Sequence, residues 1–286
     1  MSVMVLEVPR RDRKDTPRVL TGLSTLATLV GFYAITVGPR RVVTRRFSLT
    51  VSDWSNGLEG LQVAVLADFH AGVAPVGPRR LRRIVRRVSD QRPDLVVLLG
   101  DFVDAREVRP GGMTPEDVAD ALGGLRSRLG VVSVLGNHDW RSDGPRVRGA
   151  LGRIGVTMLE NGAVEVGDGL WVAGVADAGE RDADVDAALA GVPAGAPALL
   201  LTHHPDVFPR VPARVALTLA GHTHGSQVAL PLRGRWTPSR FGARYGGGHV
   251  EEGGRQMVVS RGLGTSRYPA RLFAPPEILV LTLRSR

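Results

Sequence analysis

Gly100-Asp101-Phe102-Val103-Asp104 decides how the chain is read. The residues before it, Leu95-Val96-Val97-Leu98-Leu99, form an apolar run too short for an ordinary helix and rich in β-branched side chains. They predict a buried strand that ends in a glycine and two carboxylates. Open α/β sheets place their sites at the carboxyl ends of strands. Four other strand-like runs end in comparable residues: Leu61–Leu66 before Asp68-Phe69-His70, 131–135 before Gly136-Asn137-His138-Asp139, 198–201 before His203 and His204, and 215–220 before Gly221-His222-Thr223-His224. Each supplies oxygen or imidazole donors suited to divalent transition metals.

Working outward, the first three such segments in chain order alternate with helices, which argues for parallel strands covered by helices. Pro78–Ser89 carries Leu81, Ile84, Val85 and Val88 at helical spacing, with Arg79, Arg80, Arg82, Arg83, Arg86 and Arg87 opposite. That basic face is either simply solvated or rests on anionic headgroups. Thr114-Pro115-Glu116-Asp117 is a helix start, with a threonine cap and acids at the positive end of the dipole. A weaker helix is expected after Pro145, on Val147, Leu151 and Ile154. From residue 156 the segments shorten into strands at 164–166, 170–175, 228–230, 250–252, 256–260 and 278–283, with one helix over Val185–Leu189. Two packed sheets with helices outside fit this order better than one doubly wound sheet.

The chain has 286 residues and a formal net charge of +9, carried almost entirely by arginine. That charge suits anionic lipid, nucleic acid or phosphorylated substrates. The absence of cysteine excludes disulfides, thiolate metal sites and a cysteine nucleophile. Residues 19–39 contain no charged side chain, about the length a helix needs to cross a bilayer. Arg10, Arg11, Arg13, Lys14 and Arg18 precede this stretch and Arg40, Arg41, Arg45 and Arg46 follow it, so the flanking charge does not orient it. A cleaved signal is the competing reading, without a convincing small-x-small site near 34–38; a buried core helix is the third. The expected organisation is a basic segment 1–18, a transmembrane anchor 19–39 and one domain 42–286, at the cell membrane as a single-pass protein.

The motifs taken together resemble the calcineurin-like metallophosphoesterases over nearly everything after residue 42. Gly221-His222-Thr223-His224-Gly225-Ser226-Gln227, Ser260-Arg261-Gly262-Leu263-Gly264-Thr265-Ser266 and Pro275-Pro276-Glu277 are similar to a bacterial membrane-anchored phosphodiesterase branch. Some members of that branch cleave the pyrophosphate of UDP-2,3-diacylglucosamine. Ser226 stands where a second glycine is common there. The resemblance implies an α/β (α+β) fold, a four-layer αββα sandwich of two mixed β-sheets. It also implies two divalent metal ions, manganese, iron or zinc, with Asp68, His70 and His224 on one, Asn137, His203 and His222 on the other, and Asp101 bridging. Two such ions generate hydroxide from a shared water near neutral pH. His138 is the implied general acid, with Asp104 accepting its hydrogen bond.

Other candidates carry plainer readings. Asp139 is assigned to local turn hydrogen bonding, His204 is the reserve for His203, and His249 is ordinary polarity. Arg261 and Arg267 are either phosphate forks or surface charges. The expected activity is hydrolysis of a phosphodiester or pyrophosphate, in a lipid-linked substrate at a membrane. A nuclease or nucleotide phosphodiesterase ranks lower because aromatics are not interleaved with the basic residues, which also makes a nucleic-acid partner unexpected. A non-catalytic scaffold would not need His138 beside a full ligand set.

Overall fold

A computed structural model describes residues 16–104, 112–229 and 237–286. The chain enters through α1 (Thr16–Phe32) and β1 (Val43–Val51) and then builds β2 (Leu61–Leu66), α2 (Pro78–Ser89), β3 (Leu95–Leu98), α3 (Pro115–Leu122), β4 (Val131–Ser133), α4 (Asn137–Arg153) and β5 (Val156–Met158). β2 to β5 pair in parallel in sequence order, as strand–helix alternation requires. The last strand, β12 (Glu277–Ser285), inserts between β1 and β2 and runs antiparallel to β2, so this sheet is mixed, in the order β1-β12-β2-β3-β4-β5.

The second sheet contains β6 (Gly162–Gly167), β7 (Leu170–Gly174), β8 (Ala198–Thr202), β9 (Leu217–Ala220), β10 (Gly248–Glu252) and β11 (Arg255–Val259), in the order β10-β11-β9-β8-β7-β6. Its centre is parallel and its two outer pairs antiparallel. Val63, Val65, Val97 and Leu99 of the first sheet share a core with Val172, Leu199, Leu217 and Leu219 of the second. The other face of the first sheet is covered from α2, α3 and α4 by Leu81, Ile84, Val118, Leu122, Val147 and Leu151. The other face of the second meets α5 (Val185–Leu189), Phe208 and Tyr245. These layers are the expected αββα sandwich of two mixed sheets. β3 is buried on both faces, which is why its sequence is a continuous apolar run and not an alternation.

Three local expectations change. α4 begins at Asn137 and not after Pro145; it is broken at Asp143, whose φ of −164° is extended, just ahead of the proline. Its start is fixed by Asp139, whose carboxylate accepts the Gly136 N–H at 2.9 Å. Val228 forms isolated bridges to Leu272 and Phe273 instead of the strand expected at 228–230, and Leu230 lies outside the described residues. Among the described residues no helix is long and apolar enough to cross a membrane. The 17 residues of α1 give way to a π-helical turn, Tyr33–Val37, and a 3₁₀ turn, Gly38–Arg40.

The end of the expected anchor is therefore part of the folded domain. Ala34, Gly38 and Pro39 are buried. The Arg271 N–H donates to Ala34 O at 2.8 Å, and Arg80 Nη2 donates to Pro39 O at 2.6 Å. Gly38 lies so close to Arg271 that an added Cβ would stand 3.0 Å from the Arg271 carbonyl carbon. Leu26, Leu29, Phe32 and Ile35, just before and within this docked turn, are exposed.

Candidate metal centre

Strands β2, β3, β4, β8 and β9 end side by side, and the residues after them converge. The backbone turns sharply at those ends: Asp68, His70, Asp101, His222 and His224 all have φ between 43° and 71°. A non-glycine residue in this region costs about 1–2 kcal/mol, so five together require a surrounding structure that imposes them. Backbone bonds between the loops do so, with Asp68 N–H on Gly100 O and His70 N–H on Asp101 O, each at 3.0 Å. Close glycines complete the walls. A Cβ on Gly262 would meet Asp68 Cβ at 2.6 Å, and one on Gly136 would meet His203 Cε1 at 2.7 Å and the Asp101 carboxylate.

Asp101 is central. Its Oδ2 stands 3.4 Å from His70 Nε2 on one side and 3.3 Å from His203 Nε2 on the other. Its Oδ1 accepts the His138 N–H at 2.9 Å. On the His70 side, His224 Nε2 is 3.0 Å from His70 Nε2 and 3.7 Å from Asp68 Oδ1. On the His203 side, Asn137 Oδ1 is 3.1 Å and His222 Nδ1 3.2 Å from His203 Nε2. The two histidines of Gly221-His222-Thr223-His224 thus serve opposite sides, because Thr223 is in a helical turn and not a strand. Asp68, His70, Asp101 and His224 offer donor atoms all within 4.8 Å of one another, and so do His203, His204 and His222.

This donor set suits a pair of divalent ions. Asp68 is fully buried, and its Oδ2 has no hydrogen-bond partner, an orphaned anionic oxygen that a cation would satisfy. Burial, then the Asp101 charge, pushes the Asp68 carboxyl up to about 6 against the pull of His203. Burial, together with neighbouring charged groups, holds His222 and His224 well below the usual imidazole range, in the neutral form that ligates. Burial acts on Asp101 and His203 too, but their mutual attraction outweighs it, lowering the carboxyl and raising the imidazole.

Around the donors lies a supporting shell. Asp104 is buried and faces two imidazoles, His138 Nδ1 at 3.5 Å and His70 Nδ1 at 3.3 Å. Sequence reasoning found the first contact and missed the second. For His138, burial depresses the pKa, and the Asp104 hydrogen bond and the Asp101 charge more than reverse it, leaving it raised. Asp139 does more than cap its own turn: besides Gly136, its carboxylate accepts the N–H groups of Asp101 at 2.8 Å, Phe102 at 2.8 Å and Val103 at 3.2 Å. Burial and the Asp101 charge push this carboxyl up to about 7, and the backbone donors act against that.

Three further placements follow. His203 Nδ1 meets Leu99 O at 2.7 Å, which directs Nε2 into the centre. His204 is not turned away as strand alternation suggests: its ring lies 3.6 Å from that of His222, centroid to centroid, and its Nε2 is 3.4 Å from Asp177 Oδ1. Neither Asp177 nor Arg271 was marked by the sequence. The buried Arg271 guanidinium donates to the carbonyls of His224, Arg261 and Gly264 and contacts His224 Nδ1 at 3.2 Å. Only its position two residues after Pro269, late in a glycine-rich loop, hints at such a role. Arg267 lines the cleft over the centre, Arg261 reaches toward Glu277, and His249 is exposed against Gln256.

The fold and its paired histidine–aspartate clusters define a metal-dependent phosphoesterase. The calcineurin-like phosphoesterase family matches residues 61–226, and the chain belongs to that family. The uncharacterized metallophosphoesterase YkuE of Bacillus subtilis is 29% identical over 259 residues, spanning 88% of this chain and 89% of the relative. An uncharacterized metallophosphoesterase of Aquifex aeolicus is 30% identical over 239 residues, 80% of this chain and 87% of its own. The UDP-2,3-diacylglucosamine pyrophosphatase LpxG of Chlamydia trachomatis is 22% identical over 324 aligned positions, covering 92% and 95% of the two chains.

Proposed function

We propose that this protein hydrolyses a phosphodiester or pyrophosphate bond in a lipid-linked substrate at a membrane surface. Asp68, His70 and His224 would hold one ion, Asn137, His203 and His222 the other, with Asp101 shared between the two sides. The observation that carries the reading is the position of Asp101 Oδ2, 3.4 Å from His70 Nε2 and 3.3 Å from His203 Nε2. When bound, such ions polarise a phosphoryl oxygen and lower the pKa of water.

The chain supplies the rest. His138 stands at the cleft with Nδ1 toward Asp104, and its imidazole is the group that protonates the departing oxygen. Arg141 and Arg267 line the same cleft, of about 430 Å³, where their charge compensates that of a bound phosphoryl group. Val228, Pro238 and Tyr268 give it an apolar wall. Tyr268 and Phe273 are exposed on the loop to which the base of the N-terminal segment docks, which supports an amphiphilic substrate lying between the cleft and a bilayer. The exposed apolar side chains of α1 support the membrane itself.

The test is hydrolysis of bis-p-nitrophenyl phosphate by metal-depleted protein to which Mn²⁺, Fe²⁺ or Zn²⁺ is restored. His138→Ala should lower kcat by about 10²–10⁴-fold with metal content unchanged. Because the acid must be protonated and its pKa is raised, wild-type turnover should fall as pH rises through that value, and the variant should lose this limb. Equal, inert behaviour of folded wild type and variant with every metal would sink the catalytic reading. Lipid extracts incubated with the protein and read by mass spectrometry test the substrate class. If only water-soluble phosphoesters are consumed, the lipid-linked assignment fails.

A further inference from the structure

Several arginines of this protein pair with carboxylates. Arg128 meets Asp94 and Asp168, Arg141 meets Glu180, Arg146 meets Glu116, Arg148 and Arg181 share Glu160, and Arg284 meets Glu59. One group does not. Arg40, Arg79, Arg80, Arg82 and Arg83 line a single cleft of about 580 Å³, floored by Pro75, Gly77 and Pro78, and among the described residues none of the five forms an ion pair.

Their arrangement is that of a receptor for an anion. Arg80 is partly buried; Nη2 bonds to Pro39 O at 2.6 Å and to Leu263 O at 3.3 Å, and buried Nε makes no hydrogen bond. Burial lowers its pKa to about 10, and the charges of Arg40 and Arg83 beside it add to that. Helix α2 has six arginines and no acid. Its cleft opens beside Gly38–Arg40, at the base of the segment whose Leu26, Leu29, Val30, Phe32, Ile35 and Val37 are exposed. Where an apolar segment enters a bilayer, the phosphates lie at its base, and basic side chains there draw anionic lipids.

We propose that this cleft is a specific site for the headgroup of an anionic phospholipid, the phosphate lying among Arg40, Arg79, Arg80 and Arg83 with the acyl chains running along α1. The site is separate from the metal centre. It shares with the proposed function only the placement of α1 at a membrane. Through Arg80, bonded to Leu263 of the loop that packs on Asp68, an occupied cleft also fixes the attitude of the catalytic face to the bilayer.

The experiment uses the metal-loaded full chain in a neutral detergent, titrated with dihexanoyl phosphatidylglycerol, dihexanoyl phosphatidylcholine and inorganic phosphate. Binding is read by calorimetry. The anionic lipid should saturate one site at least about tenfold more tightly than either of the others, and added salt should weaken it. Arg79→Glu/Arg83→Glu, both on exposed side chains, should weaken it by about tenfold or more. Arg153→Glu/Arg214→Glu, exposed and outside the cleft, makes the same change in net charge and should leave affinity unchanged.

Equal binding of the two lipids, equal losses in the two double variants, or phosphate binding as tightly as the lipid would each overturn the site. The last would make it a free-phosphate site. Arg79→Gln/Arg83→Gln repeats the comparison if the reversed charges disturb folding. Flotation with pure phosphatidylcholine vesicles reports separately on α1. Failure there removes the membrane reading and leaves the detergent titration to decide the cleft.

Discussion

Asp101→Asn is expected to strip both ions from the protein and to lower turnover beyond the roughly 10- to 100-fold that changes in outer-shell partners cost. The side chain is unchanged in size, so the effect isolates what the second oxygen and the charge do. Oδ1 is committed to the His138 N–H, and Oδ2 stands between His70 and His203. An amide must either give up the His138 bond or turn an NH₂ group toward both imidazoles, where it offers no lone pair to either ion. Elemental analysis of the purified variant is the check. Retention of one full equivalent of metal would show that Asp101 serves a single side, and the division of ligands would have to be redrawn. Asp104→Asn is the counterpart, and the structure changes what to expect of it. Because Asp104 contacts His70 as well as His138, the variant should lower turnover and also loosen the ion held by His70, by about 10- to 100-fold in affinity, while the His203 side keeps its metal.

How much of this was legible in the sequence depends on whether a feature is carried by periodicity or by the path of the backbone. Helix α2 was readable to its ends because its apolar stripe and arginine face repeat at helical spacing. The order of strand ends was readable because β2, β3, β8 and β9 are short, largely apolar runs followed within two residues by glycine, histidine or aspartate. The two sides of the centre came from the family resemblance, since periodicity says nothing about left-handed turns at Asp68, Asp101 and His224. The start of α4 was hidden for a related reason. Its first turn is held by Asp139 and by bonds to another loop, and Asn137, His138 and Asp139 show no apolar period.

The N-terminal stretch shows the opposite failure. Its composition describes a uniform 21-residue apolar span, from 19 to 39, yet Ala34, Gly38 and Pro39 are small or cyclic, and these are the residues that let the chain lie against Arg271 and accept the Arg80 hydrogen bond. An apolar run reports that water is excluded and not what excludes it. Leu26, Leu29 and Phe32 face outward and Ala34 faces the domain, within the same uncharged stretch. Arg271 escaped notice because arginine in a basic chain reads as surface. Its burial is sustained by six carbonyl and imidazole contacts to residues 224, 261, 264 and 274, of which His224 comes beside it only when the fold closes.

Asp139→Asn should unfold the protein at markedly lower denaturant, although the residue touches no substrate and the change removes one formal charge at constant size. Each carboxylate oxygen accepts two backbone N–H groups: Oδ2 those of Asp101 and Gly136, Oδ1 those of Phe102 and Val103. All four donors are buried with the carboxylate. An asparagine keeps one acceptor oxygen and presents its NH₂ to the other pair of N–H groups, donor against donor. Leaving buried donors unpaired costs about 1–3 kcal/mol each, so a loss of about 3 kcal/mol or more is expected for the metal-free protein, and Asp139→Ala, which abandons all four, should lose more. Equilibrium urea unfolding measures both. A loss under about 1 kcal/mol in Asp139→Asn would mean that the loops at 101–103 and 136–139 are held together by the ions and not by this side chain. The order of events distinguishes the two cases: if Asp139 is the clamp, the loops stand in place before metal arrives, and the metal-free wild type should already protect the amides of Asp101, Phe102 and Val103 from hydrogen exchange, a protection that the variant lacks.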